Sequence, residues 1–427
     1  MSRFVVAGLS PAASLLAIGL ASVAAHGQPL ARLTLDDAVA RALAQNPTIA
    51  IALAEIDRAD ALIRQARAAS FPSLVGNAVY TRLEGDRSSA PGVKIASQDQ
   101  LAANLSLTVP LFAPAAWAQT RHAGDNRRIA EASAVDVRRQ LAVAAARAHL
   151  AVVAQHRVIT ANENARNTAQ AHYDYAHTRL VGGIGRSIDE VRAEQELRAN
   201  EVAVEGAYAG LARAREALGV LVAAEGPIDT QDEVALAAPP SLDMALADAR
   251  SRRSDVKALE THLAAGEQLV KDDWVFYAPI LSAAAQPFFQ EGLPLQPRTG
   301  WQAQLILALP LYDGGQRGGI ARERDALVAE ARASLDAAAR QAQSDVRAAF
   351  EAVVHADRAL TAARAAAVLA RRALELATLA YRGGATSNLE VIDAARASRA
   401  ADTAAAQAED VARQGRLDLL AASGRFP

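Results

Sequence analysis

Leu101-Ala102-Ala103-Asn104-Leu105-Ser106-Leu107-Thr108-Val109-Pro110-Leu111-Phe112 returns in altered form as Trp301-Gln302-Ala303-Gln304-Leu305-Ile306-Leu307-Ala308-Leu309-Pro310-Leu311-Tyr312. In the first stretch the odd positions are apolar, and Asn104, Ser106 and Thr108 occupy even ones. In the second, Trp301, Ala303, Leu305, Leu307, Leu309 and Leu311 line one face, with Gln302 and Gln304 on the other. A period of two over about ten residues is a β-strand, and about ten residues is the length of a strand that crosses a bilayer. In a membrane barrel Asn104, Ser106, Thr108, Gln302 and Gln304 would face the pore. A half-buried hairpin in a soluble sandwich would carry the same alternation, so the pattern alone does not decide between the two.

Working outward, the recurrence extends along the whole chain. Leu35-Asp36-Asp37-Ala38 is echoed by Leu242-Asp243-Met244-Ala245, and Phe71-Pro72-Ser73-Leu74 by Ala278-Pro279-Ile280-Leu281. Leu180-Val181-Gly182-Gly183 is echoed by Tyr381-Arg382-Gly383-Gly384. Landmarks that recur in one order mark a tandem duplication of a unit of roughly 200 residues. The expected division is a first repeat over 26–221, a linker over 222–240 around Gly226-Pro227 and Pro239-Pro240, and a second repeat over 241–423.

Each repeat opens with a short helix. Thr34 stands three residues before Asp37, a capping-box spacing, and Ser241 holds the matching place. Asn46-Pro47 restarts the first helix, Asn suiting the cap and Pro the first helical position; Ser254-Asp255 stands there in the second copy. A strand pair follows, over about 75–112 and 281–312, with weaker partner strands at Val75–Leu83 and Leu281–Phe289. Glu84 to Ser97, rich in Gly, Ser and Pro, reads as a loop.

After Pro110 and Pro310 nothing breaks a helical pattern from about 115 to 177 and from about 320 to 380. Some 65 residues at 1.5 Å each extend on the order of 95–100 Å, beyond any ordinary globular helix. In the second copy Val346, Val353, Leu360, Ala367, Leu374 and Tyr381 recur every seven residues. Ala349, Ala356, Ala363, Ala370 and Ala377 stand three places on, a heptad with one large and one minimal knob. In the first copy Arg166 interrupts the stripe, and Gln155 and Asn162 replace alanines, so that seam is looser or more hydrated. Each long helix stops at a glycine pair, and a return helix starts after Ser187 or Asn388, giving helical hairpins over about 115–221 and 315–421.

Composition narrows the function. The chain has 427 residues, a formal net charge of -2 and 22% charged residues, with no basic excess to attract nucleic acid. It has no cysteine, which excludes disulfides, thiolate metal sites and a lipid-modified cysteine. Residues 1–25 read as a signal peptide: Arg3, an apolar stretch from Phe4 to Leu20, then Ser22-Val23-Ala24-Ala25. No nucleophile and base stand at convincing spacing, so an enzyme is not expected, and no cofactor is implied. His149 and His156 share a helix face, and His172 and His177 flank Tyr173 and Tyr175. Seam histidines explain them better than a metal site. Gly182-Gly183-Ile184-Gly185 lacks the preceding strand and following Lys of a phosphate loop.

Four membrane-length strands cannot close a barrel, since about eight is the practical minimum and lipid does not tolerate an open edge. The strands either lie in water or are completed by other subunits. A signal peptide, a shared barrel and a tube of helices together describe an exit duct. On the duplicated helix start, Asn46-Pro47, Phe71-Pro72-Ser73-Leu74, Val109-Pro110-Leu111-Phe112, Leu309-Pro310-Leu311-Tyr312-Asp313-Gly314-Gly315 and Tyr381-Arg382-Gly383-Gly384, the chain resembles the TolC-like outer-membrane efflux protein family over about residues 30–423.

The resemblance implies a mostly α fold with a small β part. It implies a homotrimer with a twelve-stranded β-barrel in the outer membrane, continuous with a periplasmic α-helical barrel. The implied partners are a periplasmic adaptor and an inner-membrane efflux or ABC transporter, in multidrug efflux or type I secretion. It places a constriction at Glu390 and Asp393, whose copies around a narrow opening would repel one another and favour cations. Their place in a helix's first turn would also suit two solvated acids. It places a gate latch at Asp189, Tyr381 and Arg382, and adaptor docking at the turns holding Gly182, Gly183, Gly185, Gly383, Gly384 and Ser387. A soluble periplasmic coiled-coil adaptor would not need two membrane-length alternating strands. A structural envelope spacer would not need a polar strand face.

Overall fold

The computed structural model describes residues 30–231 and 236–426, so the signal peptide expected over 1–25 lies outside the described residues. The chain begins with β1 (Arg32–Leu33), α1 (Leu35–Gln45) and α2 (Pro47–Ala68). The Thr34 hydroxyl accepts from the Asp37 backbone N–H, as the capping-box spacing requires. Asn46 ends one helix and starts the next: its N–H bonds to the Ala42 carbonyl, while its side chain accepts from Thr48 N at 2.9 Å. Its Nδ2 also donates to the Leu221 carbonyl at 2.8 Å, pinning the break to the end of the first hairpin.

Then come β2 (Ser73–Arg82), β3 (Arg87–Ala90), β4 (Val93–Ala96) and β5 (Asp99–Phe112), followed by α3 (Pro114–Val181), α4 (Ser187–Leu221) and β6 (Asp229–Thr230). The second copy repeats the plan with α5 (Leu242–Arg252), α6 (Ser254–Lys271), β7 (Ile280–Glu291), β8 (Thr299–Ala308), α7 (Gln316–Arg382) and α8 (Asn388–Ala422). The two long helices have 68 and 67 residues. At 1.5 Å per residue each is about 100 Å long.

Several local expectations are corrected. The segment Glu84–Ser97 is not only loop: β3 and β4 pair within it, turning at Gly92 with φ +83°. Lys94 Nζ lies 2.8 Å from Asp86 there, in a four-residue strand too short for alternation to betray it. Strand β8 ends at Ala308, which pairs with Ile280, the first residue of β7. Beyond it there is no partner, and Pro310 has no N–H to offer. Ser241 sits at the cap of α5 but makes no side-chain cap bond, and α6 is preceded by Arg253, not capped by Ser254. Ser254 Oγ instead donates to Asp136 of α3 at 2.7 Å. The Arg253 guanidinium spans Asp255 and Asp345 at 2.6 and 2.9 Å.

The helices stand side by side in the order α4, α3, α8, α7, and α2 and α6 lie along α3. The seam of α7 follows its heptad. Val346, Val353, Ala356, Ala367 and Tyr381 are buried, and Ala349, Leu360, Ala363, Ala370, Leu374 and Ala377 are half-buried. The residues between them mostly face outward. At the far side of the first hairpin, β1 and β6 pair in parallel and close over a buried cluster that includes Leu35, Leu150, Val152 and Leu218. Asp229 in β6 accepts from His156 at 2.6 Å and Arg215 at 2.7 Å.

Candidate functional site

The strands β2, β5, β7 and β8 form one antiparallel four-stranded sheet in that order, and the middle pairing, β5 with β7, joins the two repeats. Register decides its chemistry. Asn77 pairs with Asn104, Thr108 with Ala284, and Ala284 with Gln304. All five strand residues expected on a pore side therefore share one face, together with Asn77 and Gln286. Cross-strand amide bonds run along it: Asn77 Nδ2 to Asn104 Oδ1 at 3.3 Å, and Gln302 Nε2 to Gln286 Oε1 at 2.7 Å.

The opposite face is apolar and bare. Leu101, Leu105, Leu107, Trp301, Leu305 and Leu307 are all exposed on it. Arg82, Asp99 and Glu291 are the only charged residues in the four strands, and all lie at the loop end. An apolar surface of this kind signals a partner or a membrane. Aromatic residues mark its two ends. Phe71, Phe112, Trp117, Trp274, Tyr277 and Tyr312 stand exposed where strands give way to helices, and Tyr80 and Trp301 at the loop end. The chain has three tryptophans, and all three stand at these two levels. From Leu101, the partner of Tyr80, to Phe112 is about eleven residues, which at about 3.4 Å each and a tilt of about 40° project to roughly 29 Å, the thickness of a bilayer core. Among the described residues no helix is long and apolar enough to cross a membrane.

At the opposite end lie the two glycine turns. Gly183 and Gly384 take φ +75° and +76°, the left-handed conformation a β-carbon disfavours. Gly183 is followed by an Ile184 N–H to Arg179 carbonyl bond of 3.0 Å, and Gly384 by an Ala385 N–H to Ala380 carbonyl bond of 2.8 Å. Both are Schellman closures of a long helix. Gly182 and Gly383 have ordinary negative φ. At Gly185 a β-carbon would sit 2.6 Å from the Leu180 backbone N. Ser387 is the residue before α8 and makes no side-chain cap bond.

Glu390 and Asp393 are exposed, on the first turns of α8, and Glu390 accepts from the Thr386 hydroxyl. Tyr381 is buried, with its ring 5.6 Å from that of His172 and 5.8 Å from that of Tyr175. Burial, aided by the charge of Asp189, pushes its phenol above the usual range. The Arg179 guanidinium lies 5.3 Å from the Tyr381 ring, and that of Arg382 lies 5.6 Å from the Tyr175 ring. Asp189 is held by its backbone: its carbonyl accepts from Asn388 Nδ2 at 2.8 Å. The Asn388 Oδ1 in turn meets His172 Nε2 at 2.5 Å. Sequence reasoning missed Asn388 as a contact and weighed His172 only as a seam or metal residue.

Three more helix histidines have specific neighbours: His149 faces the Leu33 carbonyl, His156 Asp229, and His177 Glu190. Among the described residues no three His, Asp or Glu side chains gather as a metal site. Above the tips a cleft of about 860 Å³ opens between the two hairpins, lined by charged groups including Arg157, Arg364, Arg371, Glu196, Asp402 and Glu409.

Residues 38–224 match the sequence model of the family described as outer membrane efflux protein. Solved structures resemble nearly the whole chain. A membrane protein from Pseudomonas aeruginosa is 22% identical, with 92% of this chain and 91% of that one covered and a TM-score of 0.79. The Campylobacter jejuni CmeC outer membrane channel is 17% identical, over 92% of this chain and 86% of that one, at 0.77. The open state of the Neisseria gonorrhoeae MtrE outer membrane channel is 19% identical, over 92% and 90%, at 0.76. No curated protein matches the sequence. The likeness to these solved structures shows the fold of both repeats.

Proposed function

We propose that the chain is the outer-membrane exit duct of a tripartite efflux or secretion system, passively conducting substrates across the periplasm and the outer membrane. One observation carries the reading. A sheet with a bare apolar face, a polar face and aromatic ends spaced for a bilayer runs directly into helices about 100 Å long. The outer strands β2 and β8 each leave one edge unpaired in the single chain. Lipid does not tolerate such edges. Three chains joined edge to edge give a closed barrel of twelve strands, with the apolar face in lipid and the Asn104–Gln304 face lining the pore. The division into two repeats, 26–221 and 241–423, supplies two strands and one hairpin from each.

The long helices then extend into the periplasm, and the turns at Gly182–Gly185 and Gly383–Ser387 meet a periplasmic adaptor that links the duct to an inner-membrane transporter. Glu390 and Asp393 form acidic rings at the constriction, and Asp189, Tyr381 and Arg382 belong to its latch. A soluble adaptor or spacer would leave the Leu101–Trp301 face exposed to water without purpose. The test is direct: the protein is extracted from membranes, its mass is measured in detergent, and its conductance is recorded in planar bilayers. Three chains per particle and discrete channels are expected. A detergent-free, monodisperse monomer with folded strands would sink the proposal.

A further inference from the structure

The Asn388 side chain is 2% exposed and stands at the first position of α8. Both halves of its amide are engaged, in opposite directions. Oδ1 meets His172 Nε2 of α3 at 2.5 Å, and Nδ2 donates to the backbone carbonyl of Asp189 in α4 at 2.8 Å. The carbonyl oxygen can only accept, so the His172 Nε2 carries the hydrogen. One residue of the second hairpin thus grips both helices of the first. Only an amide does this at this length: a carboxylate has no hydrogen to give Asp189, and a serine is too short to reach both. The Tyr381 ring packs beside His172 and is itself buried, which keeps water from the bonds and strengthens them. Asp189 and the guanidinium groups of Arg179 and Arg382 surround this point.

We propose that His172 and Asn388 form the clasp that holds the two hairpin tips of one chain together and so keeps the inner end of the duct narrow. The proposal rests on the channel reading above. The duplication sharpens it. At the corresponding places of the other copy stand Ala373 for His172 and Ser187 for Asn388. Alanine has no donor. The clasp therefore exists at the α3–α8 junction within a chain and has no equivalent on the outer flanks, α4 and α7, where the next chain would lie.

The experiment uses the full-length protein in planar bilayers and, separately, hydrogen exchange of the tips in detergent. His172→Leu and Asn388→Leu remove the bonds, and His172→Gln keeps a side-chain N–H donor of similar reach. The Leu variants are expected to raise the open fraction at least tenfold, because each of the three chains loses a buried hydrogen bond worth about that factor. Backbone exchange over residues 177–190 and 383–392 should accelerate, and His172→Gln should stay near wild type in both readouts. Wild-type open fraction and exchange in a His172→Leu trimer that melts normally would overturn the clasp. A Gln variant as leaky as the Leu variant would overturn it too, because packing beside Tyr381 would then hold the tip. Should the wild type insert yet conduct nothing, the channel reading fails by itself, and the exchange arm alone decides the clasp.

Discussion

Replacing Ala356 by Leu tests how closely α7 and α8 are packed. Ala356 is 6% exposed, one turn from Val353 at 5%, on the face of α7 turned to α8. The partner helix comes close there: a β-carbon built on Gly415 of α8 would lie 3.6 Å from Val353 Cγ2. Three further carbons at position 356 would gain about 2.4 kcal/mol of burial if there were room, at about 0.8 kcal/mol per methylene. At a buried alanine facing a neighbouring helix, the added side chain is instead expected to force α8 outward or leave its rotamer, and overpacking of this kind costs about 1–3 kcal/mol. Ala352, exposed on the same helix, is the control. Leu and Ala are both good helix formers, so Ala352→Leu should stay within about 0.5 kcal/mol of wild type. The measurement is the urea midpoint of the detergent-solubilised protein, followed by far-ultraviolet circular dichroism for wild type and both variants. Ala356→Leu should lower the midpoint while Ala352→Leu leaves it in place. A midpoint for Ala356→Leu equal to or above wild type would show that the methyl row is not a close seam.

Ala223 is the only non-glycine residue with positive φ among the described residues, at 52°, while its counterpart Gly424 takes 71°. Ala223→Gly should relieve left-handed strain of about 1–2 kcal/mol, offset by about 0.5–1 kcal/mol of chain entropy; Gly424→Ala should destabilise clearly, because its β-carbon would stand 3.0 Å from that of Arg252. Paired urea melts check both signs. Valine at Gly183 or Gly384 should abolish efflux complementation while trimers still insert, and asparagine, which tolerates the left-handed region, should retain more function; wild-type drug tolerance in both valine variants would remove these turns from docking. Burial pushes the fully enclosed His149 imidazole below its ordinary 6.5, and its Nδ1 has no hydrogen-bond partner. Its contribution to stability is therefore complete above about pH 6.5 and falls as the pH drops below that value, because the unfolded chain takes up the proton first. His149→Gln should flatten, without abolishing, the loss of melting temperature between about pH 7.5 and 5.5, since His172 is depressed by burial in the same way. Alanine at both Glu390 and Asp393 should weaken cation preference and relieve block by divalent ions in single-channel recordings; unchanged selectivity would place the constriction elsewhere.

The long helices and the sheet faces were legible because their periods are long and their interruptions are few. The alternation from Leu101 to Leu111 predicts a strand whatever its neighbours, and the observed β5 spans Asp99–Phe112. The heptad from Val346 to Tyr381 likewise predicts the face that α7 presents to α8, and the residues along it are buried or half-buried. Events that depend on a particular neighbour were not legible. The β3–β4 hairpin arises in Arg87-Ser88-Ser89-Ala90, which has no apolar face to announce it. Ser254 reads as a cap from its local spacing, but Asp136, 118 positions away, competes for its hydroxyl. The His172–Asn388 contact bridges 216 positions. Only a comparison of the two copies hints at it, since a polar residue in one long helix stands where the other has Ala373.

That comparison also explains where the copies diverged. Along the sheet both repeats keep the same alternation, as the proposed barrel requires, because each of its strands would meet lipid on one side and water on the other. Along the hairpins the surroundings are not equivalent. Helix α3 lies against α8 of its own chain, whereas α4 and α7 are the outer helices of the row. The α3 stripe keeps Val152 and Ile159 but is polar at Gln155, at Asn162, which is buried and bonded to the Val158 carbonyl, and at Arg166. The charged cleft between the hairpins reaches that level, lined by Asn164, Asn167 and Thr168. Polar groups in such a cleft can exchange partners at lower cost than a packed apolar seam can be opened, because water satisfies what the movement breaks. In the proposed trimer the sheet end would thus approach sixfold repetition while the tips are only threefold, with each clasp inside a chain. Widening the duct then means breaking three buried clasps and shifting a wet cleft, with the alanine seam of α7 and α8 left intact.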